Sequence, residues 1–408
     1  MGAAALARCL GAARGNEGGD VTNRGLVTIV STFLAAAAWL PSARAEDGVF
    51  ADRIVFGQSA ALTGPAAELG LDMQRGILAA FAEANAAGGI AGREIELVTL
   101  DDRYEPEAAI ANTETLIGKE RVFALIGAVG TPTSAATEPI ARAARVPFIA
   151  PFTGAEFLRD PALTNVVNIR ASYFEETEAI VDHLVSDRGA RRIAVLYQDD
   201  SYGRSGLAGV ERALKQRDMT LAAAGTYVRN TTAVKTALLA LRGARPDAII
   251  VVGAYEPSAI FTRWARKLGV DALIVNISFV GANALANALK PAGEGVYVTQ
   301  VVPFPEGDEM PLLAEYRGAL AAYDSAALPE FGSLEGYIAG RLTLEVLRRI
   351  GAEPTRADFL GALAGIGAFD IGGFVLRYGP RDNRGSEQVF LTMIRADGSI
   401  VPVEDMAR

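Results

Sequence analysis

The residue types that carry most enzyme chemistry are scarce in this sequence. His183 is the only histidine and Cys9 the only cysteine among 408 residues. A Ser-His or Cys-His nucleophile needs a neighbouring base, and a zinc site needs three or four such ligands. Neither a G-x-S-x-G turn nor a G-x-x-x-x-G-K-[ST] or G-x-G-x-x-G phosphate loop occurs. The sequence therefore predicts a protein that is not an enzyme and that uses no cofactor and no metal.

Two pairs of acidic residues could still bind a cation or act as acid and base. Asp101-Asp102 and Asp199-Asp200 each follow an apolar, strand-like run. Carboxylates in such positions more commonly cap solvated loops. We interpret both pairs as loop caps.

A different kind of chemistry is indicated at the ends of two consecutive strand-like runs. Small hydroxyl residues, an aromatic residue and a glycine stand there: Thr131, Thr133, Ser134, Phe152, Thr153 and Gly154. Ligands of parallel α/β sheets bind outside the carboxyl ends of the strands. Unpaired amides at a helix start suit a carboxylate. These positions are typical of a cradle for a small molecule.

Short β-branched runs alternate with longer helical patterns from Arg53 onward. Predicted strands are 53–59, 94–102, 122–129, 146–151, 191–200, 247–253 and 271–278, and predicted helices include 71–89, 106–119, 203–216, 232–242 and 256–268. The tail differs, with helices near 310–324 and 333–350 before strands at 374–379 and 388–394. The alternation predicts an α/β fold of two lobes, each a parallel sheet flanked by helices.

The first 45 residues form an N-terminal extension that reads as an export signal. Arg24 precedes an apolar run at 25–40, and small residues at Ala43 and Ala45 predict cleavage after Ala45. A membrane anchor is the alternative, but a span needs about 20 apolar residues. We expect an exported, soluble protein. The net charge of −9, without a basic block, argues against nucleic acid as a partner.

Five stretches form a further pattern. They are "ALTGPAAELG" (61–70), "NAAGGIAGREIELVTLDD" (85–102), "GTPTSAA" (130–136), "VPFIAPFTG" (146–154) and "QDDSYG" (198–203). Together they resemble the branched-chain amino acid-binding family, the type I periplasmic solute-binding proteins of ABC importers. The resemblance covers about Arg53 to Ile400. It implies a leucine-binding-like Venus flytrap with lobes of 46–171 plus 302–371 and 172–301 plus 372–408, joined by a hinge with crossings near residues 171, 301 and 371.

The resemblance also implies roles for residues of the first lobe. Thr131 matches the family's hydroxyl contact to the ligand carboxylate. The amides of Phe152 and Gly154, around Thr153, share that contact, and Leu69 matches a contact in the first loop. Gly154 stands where the family has a threonine, so one side-chain partner of the ligand is missing here.

In the second lobe, Tyr202 and Tyr255 match aromatic residues that close on the ligand. A larger departure lies in "NISFVGANAL" (276–285), where the family has an acid that receives the ligand's amino group. Ser278 or Phe279 takes that place, and the segment contains no acid. An ammonium group buried without a counter-charge is strongly disfavoured, because removing one partner of such a pair costs about 3–5 kcal/mol.

Two readings of the ligand follow. Glu256 or Glu335 could replace the missing acid and allow a branched-chain-type amino acid. Alternatively, Phe152 and Phe279 favour a hydrophobic or aromatic acid. Either ligand is a small carboxylate bound between the lobes and delivered to an inner-membrane permease. A sensor of the same fold that signals to a membrane kinase or chemoreceptor is the alternative function, and we expect a monomer in either case.

Overall fold

The computed structural model describes residues 46–407. The predicted signal peptide, its cleavage site after Ala45, and Cys9 lie outside this range. The helices are α1 (Ala67–Ala86), α2 (Pro106–Gly118), α3 (Thr131–Ala143), α4 (Tyr173–Ser186), α5 (Ser201–Lys215), α6 (Lys235–Gly243), α7 (Tyr255–Lys267), α8 (Ala282–Leu289), α9 (Pro311–Tyr323), α10 (Phe331–Ile350) and α11 (Arg356–Ala364). Among the described residues, no helix is long and apolar enough to cross a membrane.

The strands fall into three sheets. They are β1 (Arg53–Ala60), β2 (Glu94–Asp101), β3 (Ala124–Ile126), β4 (Phe148–Ile149), β5 (Val166–Val167), β6 (Ile193–Gln198), β7 (Ala223–Tyr227), β8 (Ala248–Val252), β9 (Leu273–Asn276), β10 (Val296–Gln300), β11 (Gly367–Ile371), β12 (Phe374–Gly379), β13 (Asp382–Gly385), β14 (Phe390–Ile394) and β15 (Ile400–Val403).

The first lobe is built on a parallel sheet in the order β2-β1-β3-β4-β5. Successive side chains of β1 point to opposite faces. Phe56 packs into the large core that includes Ile77 of α1, whereas Val55 packs with Leu116 of α2 in a separate cluster. Helices therefore cover both faces of this sheet, and the predicted fold class is confirmed.

Helices α1 and α10 pack closely in the first lobe because glycines face the partner's backbone. A Cβ on Gly76 would lie 1.8 Å from the Ser333 carbonyl oxygen, and one on Gly336 would lie 2.3 Å from that of Met73. This contact brings Asp72 of α1 and Glu335 of α10 to the wall of one cavity.

The second lobe is built on a sheet in the order β15-β14-β10-β9-β8-β6-β7. Strands β6 to β10 pair in parallel, and β14 pairs antiparallel with β10. The interior strand β8 is buried along its whole length, as its sequence AIIVV predicts for a strand covered on both faces.

The tail is organised differently from the expected division. Strand β12 pairs with β11 and β13 in a small antiparallel sheet, and the Tyr378 hydroxyl donates to the Asn168 carbonyl oxygen at 2.7 Å. Residues 372–385 thus pack on the first lobe rather than on the second. The chain passes between the large sheets at 168–172, 301–310 and 386–389, so the third crossing lies beyond the expected position near 371.

Candidate functional site

Loops at the carboxyl ends of the strands meet between the two lobes. The loop after β4 carries Phe152 and Thr153, and the turn after β9 carries Ser278 and Phe279. The Phe152 and Phe279 ring centroids are 5.7 Å apart, so side chains of the two lobes are in contact. Both phenylalanine rings are buried. We call the space between these loops the cleft.

Three buried hydroxyl groups form a cluster in the cleft, two from the first lobe and one from the start of α4 in the second. The Thr131 Oγ1 and Thr153 Oγ1 atoms are 2.7 Å apart, and the Tyr173 hydroxyl lies 3.2 Å from Thr153 Oγ1. Burial raises the pKa of Tyr173, so its hydroxyl stays protonated. The hydroxyl cluster of Thr131, Thr153 and Tyr173 is therefore largely satisfied by its own hydrogen bonds.

Aromatic rings from both lobes fill the middle of the cleft. The Phe279 centroid lies 4.5 Å from Tyr202, and Tyr104 lies 5.9 Å from Phe279 on the other side. Tyr202 in turn contacts Tyr173 at 5.5 Å. Offset and tilted pairs of this kind are each worth about 0.5–1.5 kcal/mol beyond the burial of their area. This aromatic cluster holds the lobes together in the described conformation.

A buried guanidinium lies beside the aromatic cluster. Arg170, in the first crossing between lobes, stacks over the Phe152 ring at 4.5 Å. Its Nη2 donates to Ser278 Oγ, and its Nε lies 3.6 Å from Glu335 Oε1. Among the described residues, neither Nε nor Nη1 of Arg170 makes a hydrogen bond, and neither does Glu335 Oε1. A buried donor without an acceptor costs about 1–3 kcal/mol.

The two acids near Arg170 have different surroundings. Glu176 accepts hydrogen bonds from the amide and hydroxyl of Ser278 at 2.7 and 2.9 Å and from Thr299 at 2.6 Å. Glu335 receives none, and burial raises its pKa to about 7 although Arg170 opposes the shift. Glu176 is therefore a satisfied structural carboxylate, whereas the charge on Glu335 can change near neutral pH.

Arg170 and Glu335 line a small cavity in the cleft. It measures about 20 Å³, which is room for one water molecule. Its walls include Leu69, Asp72, Phe152, Arg170, Ser278, Asn283, Gln300, Phe331 and Glu335. Burial, followed by a hydrogen bond with Glu330, raises the pKa of Asp72 well above its ordinary value.

Polar contacts close the mouth of the cleft. Arg229 Nη2 of the second lobe donates to Glu105 Oε2 of the first at 2.7 Å, and Asn230 Nδ2 donates to Glu105 Oε1 at 2.8 Å. Deeper inside, Gln198 Nε2 donates to the Tyr104 hydroxyl at 3.2 Å. We call the Arg229–Glu105–Asn230 group the latch.

Most of the predicted site residues meet in the cleft. Those that line the cavity are Leu69, Phe152, Ser278 and Glu335, those in the hydroxyl cluster are Thr131 and Thr153, and those in the aromatic cluster are Tyr202 and Phe279. Tyr255 lies buried at the start of α7, close to Glu68 of the other lobe. Glu256 is exposed, so of the two acids considered only Glu335 reaches the cavity.

The position of Tyr173 explains why a glycine stands at residue 154, where the family has a threonine. A Cβ at this position would lie 2.5 Å from Tyr173 Cδ1 and 2.8 Å from the Tyr173 amide nitrogen. A threonine cannot fit there while Tyr173 holds this place. The neighbouring Thr153 supplies the hydroxyl of this loop instead.

Sequence reasoning missed several cleft residues, among them Asp72, Tyr104, Arg170 and Tyr173. A signal existed for Arg170, since it follows the apolar stretch "VVNI" directly at a strand end. A charge at such a position marks either a surface loop or a buried site. Only the packing around it distinguishes the two.

Each of the four paired acids accepts a hydrogen bond from a protein group. Asp200 caps α5 by accepting from the amides of Tyr202 and Gly203, as the loop-cap interpretation predicts. Asp102 differs from that interpretation, because it is buried and accepts from Ser59 Oγ at 2.8 Å. Within residues 46–407, no cluster of three or more His, Cys, Asp or Glu side chains is placed to hold a metal ion.

Comparisons with known proteins agree with this geometry. Residues 53–399 match the family described as periplasmic binding protein. The chain is 25% identical over 363 residues to "Leu/Ile/Val-binding protein homolog 7" of Brucella abortus (strain 2308), which covers 84% of this chain and 88% of the relative.

Two solved structures are also similar. One is a possible leucine/isoleucine/valine-binding protein from Rhodopirellula baltica SH 1, with 40% identity, a TM-score of 0.82, and coverage of 88% of this chain and 98% of that one. The other is a substrate-binding periplasmic protein from Ralstonia solanacearum, with 32% identity, a TM-score of 0.80, and coverage of 86% and 99%.

Proposed function

The chain belongs to the periplasmic binding protein family, and we propose that it is the solute receptor of an ABC importer. Proteins of this family bind solutes and are not a class of enzymes. The observation that carries the proposal is the convergence of buried polar and aromatic side chains from both lobes, such as Arg170 and Phe152 against Ser278 and Phe279. A solute held between such surfaces favours the closed arrangement of the lobes.

The binding site in this proposal is the cleft. Its first-lobe wall consists of Leu69, Thr131, Phe152, Thr153, Gly154 and Glu335, and its second-lobe wall of Tyr202, Tyr255, Ser278 and Phe279. The unpaired Arg170 donors and the stacked rings suit a small carboxylate with an apolar body. Hydrophobic or aromatic acids and branched-chain-type amino acids share that chemistry.

Entry of the solute requires motion. A cavity of about 20 Å³ accommodates a water but not an amino acid. The lobes must part at the three crossings, or the Phe279 ring must turn away, before a larger molecule enters. We propose that a permease of the inner membrane recognises the lobes closed on solute. The chain acts as a monomer in the periplasm after cleavage at Ala45.

The ligand can be sought by thermal unfolding of the protein expressed as the full chain and purified from the periplasm. Sequencing the N-terminus of that product tests cleavage after Ala45. A solute at about 100 times its dissociation constant adds about 2.7 kcal/mol to the free energy of unfolding. A panel of amino acids and amine-free carboxylates should contain at least one compound with this effect, and isothermal titration then gives the Kd.

Transport is tested separately in cells. Deleting the gene should abolish uptake of the identified, radiolabelled solute, and restoring the gene should restore it. Uptake that persists without the gene, together with a lost chemotactic or kinase response, would replace the importer role by the sensor role. A purified protein that binds no member of the panel would contradict the solute-receptor proposal itself.

A further inference from the structure

Arg170 has hydrogen-bond donors that no group within residues 46–407 uses. Its side chain is fully buried, and only Nη2 donates, to Ser278 Oγ, among the described residues. Native proteins pair nearly all buried polar groups. Two unused guanidinium nitrogens at the wall of a cavity are therefore a strong indication that a ligand supplies the acceptors.

The hydroxyl cluster offers less to an anion. Thr131, Thr153 and Tyr173 hydrogen-bond to one another, and none of the three lines the cavity. A carboxylate that took the Thr131 hydroxyl would have to break the 2.7 Å bond to Thr153 first. Arg170 can donate to the same carboxylate from Nε and Nη1 without losing a hydrogen bond, and charge-assisted bonds are about twice as strong as neutral ones.

The charges facing Glu335 decide which class of carboxylate fits. Arg170 and Arg159 come from the segment around β5, Glu176 from α4, and Asp72 lies across the cavity on α1. Arg159 donates to the carbonyl oxygens of Ala155 and Arg170, and Glu176 is occupied by Ser278 and Thr299. Burial favours the neutral form of both Glu335 and Asp72. Of the described residues that line the cavity, Arg170 is thus the one with a permanent charge.

We propose that Arg170 binds the carboxylate of the solute, that this carboxylate replaces Glu335 as its partner, and that the solute is a hydrophobic monocarboxylate without an amino group. This inference rests on the proposed receptor function and specifies its ligand. An ammonium group would need an ionised acid in the cavity, whereas the segment 276–285 contains no acid and burial favours the neutral form of the two acids that line the cavity, Asp72 and Glu335. The Phe152 ring and Leu69 provide an apolar wall for the body of such an acid.

Binding of a carboxylate by Arg170 is coupled to the uptake of a proton by Glu335. An anion placed beside Arg170 disfavours a second negative charge, so Glu335 takes up a proton from the solvent as the solute binds. Because the pKa of Glu335 is about 7 without solute, Kd should rise by up to about tenfold per pH unit above about pH 7. A zwitterionic amino acid would keep Glu335 ionised and would show no such rise.

The test uses two matched pairs of probes that differ only in the amino group: isocaproate with leucine, and hydrocinnamate with phenylalanine. Titration calorimetry on the wild-type protein between about pH 6 and about pH 9, in buffers of different ionisation enthalpy, measures affinity and proton uptake together. We expect the amine-free acids to bind at least about tenfold more tightly than their amino acids, with nearly one proton taken up above about pH 7.

Variants isolate the two side chains. In Glu335→Gln the proton is no longer needed, so the amine-free acid should bind about tenfold more tightly than to wild type at about pH 8, without pH dependence. The double variant Arg170→Met/Glu335→Gln removes both charges, which spares the fold better than removing one. It should lose at least about a hundredfold in affinity while its unfolding transition remains cooperative.

Three results would overturn this inference while leaving the receptor function intact: tighter binding of the amino acids, unchanged pH dependence in Glu335→Gln, or a double variant within about threefold of wild type. The wild-type measurements stand even if the double variant does not fold. Failure of the wild type to bind any of the four probes or any other solute of the panel would contradict the receptor function and the inference together.

Discussion

Arg229 of the second lobe and Glu105 of the first form an ion pair across the mouth of the cleft, with Arg229 Nη2 and Glu105 Oε2 2.7 Å apart. Asn230 binds the other oxygen of the same carboxylate, so Glu105 is held by two side chains of the opposite lobe. The latch lies outside the cavity, and it stabilises closure without touching a solute bound there.

Arg229→Ala should therefore raise the Kd of any solute by about twofold to fivefold, because partly exposed ion pairs contribute about 0.5–1 kcal/mol. Titration calorimetry measures the change, and small-angle scattering should show a larger open fraction. Arg204→Ala is the control, since Arg204 pairs with Asp199 inside one lobe at 3.1 Å. A double-mutant cycle with Glu105→Ala that gives no coupling would remove the latch from the closure mechanism.

Gly281→Ala should impair closure. Gly281 has φ of +75°, and a Cβ there would lie 2.6 Å from Leu69 Cδ2 in the opposite, buried wall. Alanine at position 281 would strain the backbone whether the lobes are open or closed. Its overlap with Leu69 arises only when the lobes are closed. We expect a Kd raised by about threefold to tenfold, the equivalent of about 1 kcal/mol.

Gly269→Ala separates backbone strain from the contact between lobes. Gly269 has φ of +66° with nothing within 4 Å of its Cβ position. This variant should lose stability in urea unfolding but keep its affinity. Equal effects of the two variants on Kd would contradict a specific contact between Gly281 and Leu69.

Gly154→Ala should destabilise the protein by about 1–3 kcal/mol, because its Cβ would overlap the ring and amide of Tyr173 at the start of α4. Urea unfolding measures the loss. Gly318→Ala, in the middle of α9 with open space around it, should instead raise the free energy of unfolding by about 0.5–1 kcal/mol. If Gly154→Ala were as stable as wild type, the close packing of Tyr173 against residue 154 would be contradicted.

Asp102 should make stability depend on pH. Burial raises its pKa from 3.8 to about 6, although hydrogen bonds from Ser59 and Tyr104 oppose the shift. Between these values the folded protein binds more protons than the unfolded chain, so the free energy of unfolding falls as the pH rises. The fall amounts to about 3 kcal/mol and is complete above about pH 7.

Asp102→Asn removes this contribution. The difference in unfolding free energy between the variant and wild type should move in favour of the variant by about 2.4 kcal/mol from about pH 4 to about pH 7. The adjacent Asp101→Asn should show the opposite sign. Burial raises the pKa of Asp101, but hydrogen bonds from Thr63 and neighbouring amides outweigh burial and lower it. The contribution of Asp101 to the free energy of unfolding is therefore lost as the pH falls into the acid range. If the unfolding free energies of the two variants changed with pH in the same way, the opposite pKa shifts assigned to Asp101 and Asp102 would be refuted.

Much of the fold could be read from local patterns. The predicted strand 53–59 is Arg53–Ala60 in the structure, and the predicted helix 106–119 is Pro106–Gly118. Such elements are long, and their apolar residues repeat with one clear period. Strand β7, Ala223–Tyr227, was missed because alanine and glycine have weak strand propensity. Its backbone is held in the extended conformation by parallel pairing with β6.

The tail shows the limit of local reasoning. The strand at 374–379 was predicted correctly, but its place was not, because a strand pattern does not specify the partner strand. Tyr378 packs on the first lobe through its bond to Asn168, a residue 210 positions earlier in the chain. Contacts of that sequence separation determine which lobe a strand joins.

The sequence by itself determined the class of the fold, the strand ends at which function is expected, and eight of the residue positions that the structure brings to the cavity or to the hydroxyl and aromatic clusters. Only the tertiary structure decided which polar groups there remain unpaired. Thr131 and Thr153 satisfy each other, whereas Arg170 keeps free donors among Phe152, Ser278 and Glu335. The physical reason is that burial and hydrogen-bond pairing are properties of neighbours in space, and those neighbours come from distant parts of the chain.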